Sequence, residues 1–207
     1  MRKTFIIVAG ALFLVLSINA IMAEQPDSEG WISLFDGKTL KGWKASERPE
    51  NWTVVDGVIQ GQGARSHLFY MGRDFKNFDF KADVKTRKGT NSGIYFHTKY
   101  QDGGWPTHGY ECQVNVTQRD PVKTGSLYNV VKLYETPAKD DEWWTQQITV
   151  RGKNIQVRIN GKIVLDYTEP EGVQGPIRLS EGTFAFQQHD PGSLVQYRNV
   201  MVKPLDD

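Results

Sequence analysis

The segment from Gln147 to Tyr167 leaves little choice of secondary structure. Three alternating runs, Ile148-Thr-Val150, Ile155-Gln-Val-Arg-Ile159 and Ile163-Val-Leu-Asp-Tyr167, are separated by Arg151-Gly-Lys-Asn154 and Asn160-Gly-Lys162. A period of two sends successive side chains to opposite faces of a strand, and Asn-Gly supplies the positive φ of a tight hairpin. The segment therefore predicts a three-stranded antiparallel meander. The same grammar recurs upstream. Trp52-Thr-Val-Val55, Asp56-Gly57 and Val58-Ile59 read as a hairpin, and Phe78 to Lys85 alternates with Asp79, Lys81, Asp83 and Lys85 on the water side. Further strands are predicted at residues 92–99, 110–116 and 182–188, and from Leu194 to about Val202. Helical periodicity is hard to find. Roughly a dozen short strands in one domain predict an all-β sandwich of two stacked antiparallel sheets.

Composition agrees with a single ordinary domain: 207 residues, 39% hydrophobic and 24% charged, enough to bury a core without staples. A formal charge of +1 gives no reason to expect a nucleic-acid partner. The first residues stand apart. Arg2 and Lys3 precede an apolar run from Phe5 to Ile18, and small residues follow at Ala20 and Ala23, the layout of a secretory signal peptide. A membrane anchor would need about 20 apolar residues, more than this run offers. The expectation is cleavage after Ala23, a mature domain of residues 24–207 without a membrane span, and export to the periplasm or the extracellular space. Removing residues 1–23 takes away Arg2 and Lys3, leaving 23 basic against 24 acidic residues and a charge of −1. Oligomeric state is not encoded in any pattern. The single Cys112 alternates with Tyr110 and Val114, so it reads as core and forms no internal disulfide.

The chemistry-bearing residues emerge from the alternation. In Gly109-Tyr-Glu-Cys-Gln-Val-Asn-Val116, Glu111, Gln113 and Asn115 share one face and Tyr110, Cys112 and Val114 the other. Tyr95 and His97 lie opposite Ile94 and Phe96, while Ala185, Gln187 and His189 lie opposite Phe184 and Phe186. On a twisted sheet such polar faces converge on a concave groove rich in hydrogen-bonding groups and poor in fixed charge, which suits a carbohydrate. Trp105, in Gly103-Gly-Trp-Pro106, is placed to stack on a sugar. Taken alone, His97 would read as structural, while His189, before a turn, is evenly balanced between an inert and a functional reading. The long Gln101–His108 and Arg119–Ser126 connections are predicted to border the site. No Walker loop, dinucleotide fingerprint, cysteine pair for zinc or nucleophile elbow is present. An ordinary glycosidase needs two carboxyl groups across the scissile bond. The polar faces supply one, Glu111, with Asp102, Asp120 and Asp190 in loops beside them.

Several longer motifs carry a resemblance. Gly30-Trp-Ile-Ser-Leu-Phe-Asp-Gly-Lys-Thr-Leu-Lys-Gly-Trp43, Trp52-Thr-Val-Val-Asp-Gly-Val-Ile59, Ser92-Gly-Ile-Tyr-Phe96, Gly109-Tyr-Glu-Cys-Gln113, Thr124-Gly-Ser-Leu-Tyr128 and the closing Gln187-Gln-His189 with Val195-Gln-Tyr-Arg-Asn-Val200 resemble the DUF1080, or 3-keto-disaccharide hydrolase, family over about residues 30–205. The resemblance implies a concanavalin A-like jelly roll and cleavage of a glycoside whose sugar carries a ketone at C3. Such a ketone acidifies the neighbouring C2–H, so one base, one acid at the leaving oxygen and one electrophile at the enolate oxygen suffice. On this reading Glu111 and His189 are the acid/base pair and Arg198 or a divalent cation is the electrophile. Tyr95, His97, Trp105, Gln113, Tyr128 and Gln187 contact substrate. A non-catalytic carbohydrate-binding module is the alternative, since fold alone does not separate the two. Two positions depart from the family pattern: His97 stands where Arg is frequent, and Tyr197 where Phe is frequent. Alternation also breaks near Arg198, which predicts a β-bulge there.

Overall fold

A computed structural model describes residues 25–206; the predicted signal segment, residues 1–23, lies outside the described residues. The strands in chain order are β1 (Ile32–Ser33), β2 (Trp43–Ala45), β3 (Trp52–Val55), β4 (Val58–Gln62), β5 (Ser66–Tyr70), β6 (Phe78–Thr86), β7 (Asn91–Thr98), β8 (Tyr110–Asn115), β9 (Trp144–Arg151), β10 (Asn154–Ile159), β11 (Lys162–Thr168), β12 (Thr183–Gln188) and β13 (Leu194–Pro204). They form two antiparallel sheets. The larger runs β11-β10-β9-β6-β13-β4-β3, with β1 also paired to β13; the smaller runs β2-β5-β12-β7-β8. This is the predicted all-β, concanavalin A-like jelly-roll sandwich. No helix among the described residues is long and apolar enough to cross a membrane.

The turns follow their chemistry. Asp56 and Gly57 have φ of 49° and 79°, and Asn160 and Gly161 have 49° and 78°, the mirror-image turns whose twist matches the strands they join. The bulge predicted in β13 is present: pairing with β6 slips between Arg198 and Met201, where Asn199 has φ 49°.

Facing sides of the two sheets enclose one apolar core. Phe78, Phe80, Ala82 and Val84 from the larger sheet meet Ile94, Phe96, Phe184 and Phe186 from the smaller. Tyr197 stacks on Phe186 at 3.9 Å between centroids and meets the Ser92 hydroxyl at 2.7 Å, so its polar tip is satisfied inside that core. Cys112 is fully buried there, and burial raises its thiol to about 12, consistent with a packing role. The smaller sheet also has a covered second face. A satellite cluster of Phe69, Tyr95 and Ala185 sits on that side, and there the polar residues gather.

Candidate active site

Register decides which side chains meet on the second face of the smaller sheet. Tyr95 on β7 lies opposite Glu111 on β8 and Ala185 on β12, and Gly93 lies opposite Gln113. On the other side of β12, Gln187 lies opposite His67 of β5. Gly93 is the quiet member of this set. A Cβ added to it would stand 2.2 Å from Glu111 Oε1, so the missing side chain leaves the slot in which the carboxylate rests. The Tyr95 hydroxyl donates to Glu111 Oε2 at 2.7 Å. Gln187 Nε2 donates to Glu111 Oε1 at 2.9 Å and to the Tyr95 oxygen at 3.0 Å.

A cavity of about 450 Å3 opens over this triad. Its floor is Tyr95, Glu111, Gln113 and Gln187, and His189 and Trp105 stand at its side. Loops supply the rest. Trp105 and Pro106 come from the Gln101–His108 connection, Asp120 from the Arg119–Ser126 connection, and Tyr128, Asn129 and Ile177 from beyond. Asn115, the third polar residue of the β8 stripe, has a different task. Its Nδ2 donates to the carbonyls of Asp120 and Val122 and its Oδ1 accepts from the Gln118 amide, so it shapes the loop that carries Asp120. Gln113 Nε2 donates to Asn91 Oδ1 at 2.8 Å, while its side-chain Oε1, like that of Gln187, has no protein partner among the described residues.

Burial pushes the Glu111 carboxyl up to about 7; the donors Tyr95 and Gln187 pull in the opposite direction, and Asp120 adds a further upward push. Near neutral pH Glu111 can therefore hold or accept a proton. The same burial and the adjacent carboxylate raise Tyr95 well above the ordinary tyrosine value, so its hydroxyl remains a donor. His189 Nδ1 lies 2.9 Å from Asp190 Oδ2. A carboxylate only accepts, so Nδ1 carries the proton and Nε2 is left to give or take one. Trp105 is 42% exposed; its ring is tilted over His189 at 5.1 Å and receives the Arg65 guanidinium at 5.1 Å.

The structure thus brings together Tyr95, Trp105, Glu111, Gln113, Tyr128, Gln187 and His189. It does not bring in His97 or Arg198. His97 has φ 54°, which breaks the alternation and turns the ring into the main core against Phe78 and Phe96. There Nε2 donates to the Lys76 carbonyl at 2.8 Å and Nδ1 accepts from the Ser180 amide at 3.1 Å, with burial lowering its pKa. It is a neutral pin between two loops, and the departure from Arg at this position does not reach the cavity. Arg198 lies on the outer face of the larger sheet, 3.4 Å from Asp83 and with its guanidinium 4.1 Å from the Trp143 ring centre. The bulge falls just after it, at Asn199, so Arg198 keeps the outward parity of Gln196 and stays in register with Asp83, away from the site. For a divalent cation, no group of three His, Cys, Asp or Glu side chains capable of holding one is found among the described residues.

Sequence reasoning missed Asn91, Gly93, Asn129, Ile177 and the neighbouring His67. A glycine inside a strand is a readable signal of close approach, and Gly93 had it. Ser66-His-Leu-Phe-Tyr70 is buried at every position, so it lacks the period that would have exposed His67.

Comparison with known proteins bears on this geometry. A family model described as "3-keto-alpha-glucoside-1,2-lyase-like domain" matches residues 30–203. A Bacteroides thetaiotaomicron protein named 3-keto-disaccharide hydrolase is 38% identical, the alignment covering 87% of this chain and 80% of that protein. A crystal structure from Parabacteroides distasonis, provisionally named a glycosyl hydrolase, superposes with a TM-score of 0.73 at 26% identity, covering 86% of this chain and 95% of the other. A carbohydrate-binding module from Bacillus subtilis shares the fold alone, with a TM-score of 0.59 at 15% identity over 78% of this chain and 95% of that one.

Proposed function

The chain belongs to the 3-keto-alpha-glucoside-1,2-lyase-like domain family, and from that premise and the cavity chemistry we propose that it cleaves the glycosidic bond of 3-keto-disaccharides or related 3-keto-glycosides. The observation that carries this reading is Glu111, a carboxyl poised near neutrality over Gly93 and clamped by Tyr95 and Gln187. A general base works best with a pKa close to the working pH. The name of the Bacteroides relative supports the same substrate class, and the Parabacteroides structure supports glycoside hydrolysis. The unpartnered side-chain Oε1 atoms of Gln113 and Gln187 support a hydroxyl-rich ligand, because buried acceptors are costly until a donor reaches them.

The steps close without any outside reagent. Glu111 takes the C2 proton, and the C–H electrons form the C2=C3 enolate with charge on the C3 oxygen. The enolate then reforms C3=O, its electrons make C1=C2, and the C1–O bond breaks. Protonated His189, steadied by Asp190, gives its proton to the departing oxygen. Water next adds to C1, yielding its proton to His189, while Glu111 returns a proton to C2. The sum is hydrolysis, with each group restored.

The charged, apolar and small-residue order of residues 1–23 supports a site of action in the periplasm or outside the cell. The binding-module reading keeps one supporting feature, the shared sandwich. Asp120 in the cavity wall would be the second carboxylate of an ordinary glycosidase, but its Oδ1 accepts from the Val122 amide at 2.8 Å within its own loop turn. The deciding experiment incubates the protein with 3-keto-trehalose and with trehalose. Release of glucose from the keto-sugar alone is expected. Binding of unoxidised glycans with no turnover of any keto-sugar would overturn the reading in favour of a module.

A further inference from the structure

With Arg198 on the outer face, the enolate oxygen lacks an assigned electrophile. His67, in contact with the cavity residues Tyr95 and Trp105, is a polar group with no assigned role. It is fully buried on β5, and neither ring nitrogen has a hydrogen-bond partner among the described residues. Leaving such a ring unpaired is costly for each buried polar atom, so a purely structural histidine here would be a liability. Its position is informative. His67 is paired in register with Gln187, its ring stands edge-on to Tyr95 at 5.6 Å, and Tyr95 in turn bonds Glu111.

Trp105 lines the cavity where His67 does not, and its ring meets His67 edge-on at 5.5 Å. Trp105 differs from the core tryptophans. The Trp43 and Trp52 indoles donate to the Leu34 carbonyl and the Ser66 hydroxyl, whereas the Trp105 indole N–H donates to nothing among the described residues. Trp105 follows Gly103 and Gly104, the latter at φ 78°; Gln101 Nε2 holds its backbone carbonyl at 2.9 Å, while its ring meets only the side chains of His67, His189 and Arg65 among the ring contacts of the described residues.

We propose that Trp105 is a displaceable cover and that His67 is a catalytic residue beneath it, donating a ring N–H to the C3 oxygen of the keto-sugar as enolate charge develops there. This inference rests on the proposed cleavage and names its third group. Burial holds the His67 ring down to about 3, against the opposing pull of Glu47, which is itself paired with Arg65 at 2.8 Å. The ring is therefore neutral at neutral pH, with one N–H to give. A neutral donor suits the step, since the hydrogen bond strengthens as the oxygen becomes an enolate and the proton stays on nitrogen throughout.

The test uses the full chain with 3-keto-trehalose. His67→Phe fills the same space without a nitrogen and is expected to lower kcat by roughly 10²–10³-fold with KM nearly unchanged, the loss typical of one oxyanion donor. His67→Gln keeps an N–H and should recover part of that loss. If the wild type turns over and His67→Phe matches it, the inference falls while the proposed function stands; if the wild type is inactive on every keto-sugar, the functional reading itself falls. A second readout does not depend on His67→Phe folding. In ¹⁵N-histidine-labelled Glu111→Gln protein, the ring signal assigned to His67 through His67→Gln should shift when 3-keto-trehalose binds. A signal that stays in place in the saturated protein would overturn the role.

Discussion

The strands β6 and β7 sit in different sheets and meet water differently. Every second residue of β6 is half exposed, whereas all eight residues of β7 are buried. On β6 the polar residues Asp79, Lys81 and Asp83 form the outer surface of the larger sheet. On β7 and its neighbours β8 and β12, Tyr95, Glu111, Gln113 and Gln187 are polar yet withdrawn beneath loops. An exposed Lys or Asp needs no partner but water. A buried carboxyl and two buried amides impose a cost unless something bonds them, and the smaller sheet is where that cost has been accepted. The contrast between a solvated polar face and an enclosed one therefore locates the chemistry.

The largest break in that contrast is Glu111→Gln. Turnover of 3-keto-trehalose should fall by roughly 10²–10⁴-fold, the usual worth of a general base. The fold should gain. The Glu111 carboxyl moves from 4.5 to about 7 on folding, so the protonated form is favoured in the native state. The penalty is absent below about pH 4.5, grows as pH rises, and is complete above about pH 7, where it amounts to about 3 kcal/mol. Urea melts at pH 5 and pH 8 should therefore show Glu111→Gln more stabilised relative to wild type at pH 8. Next comes Gly93→Ala, whose methyl would occupy the carboxylate slot. A displacement of that kind should cost about 10²-fold in kcat while leaving far-ultraviolet circular dichroism unchanged.

A smaller effect is expected at Tyr95→Phe. Losing the hydroxyl removes a bond that favours ionised Glu111, so the Glu111 pKa rises further. In the wild type, kcat should climb with pH through about 7 as Glu111 ionises. In Tyr95→Phe that limb should move to higher pH, and a limb displaced by about one pH unit lowers the rate at pH 6 roughly tenfold. The smallest effect belongs to the outer face. Arg198→Ala should leave kcat and KM as they are and cost no more than about 1 kcal/mol in a thermal melt, because its contacts to Asp83 and Trp143 lie at a solvated surface. A large loss of turnover in Arg198→Ala would erase the distinction between the two sheets.

The same contrast explains what the sequence discloses. Where one face is wet, alternation is explicit, so β6 and the β9–β11 meander were readable almost residue by residue. Glu111, Gln113 and Gln187 were readable because polar residues at even spacing have to share a face. Asn115 shares it too but serves its loop. His97 escaped because a single left-handed residue near the strand end reverses parity, and no neighbouring glycine announces it. Arg198 shows the opposite case: the broken alternation was visible, but the extra residue is Asn199, so Arg198 keeps the outward parity of Gln196 opposite Asp83. His67 was invisible since β5 is buried on both sides, and a strand without a wet face has no pattern to read.

The most direct test of the account follows hydrogen at C2. With 3-keto-trehalose in D2O, removal and return of that proton by Glu111 predicts deuterium at C2 of the 3-ketoglucose released by the wild type, above the level in free 3-ketoglucose incubated with the same protein. Glucose released at full rate with the original hydrogen still on C2 would contradict it, and would mean that the bond is cut by direct attack of water at C1 without an enolate.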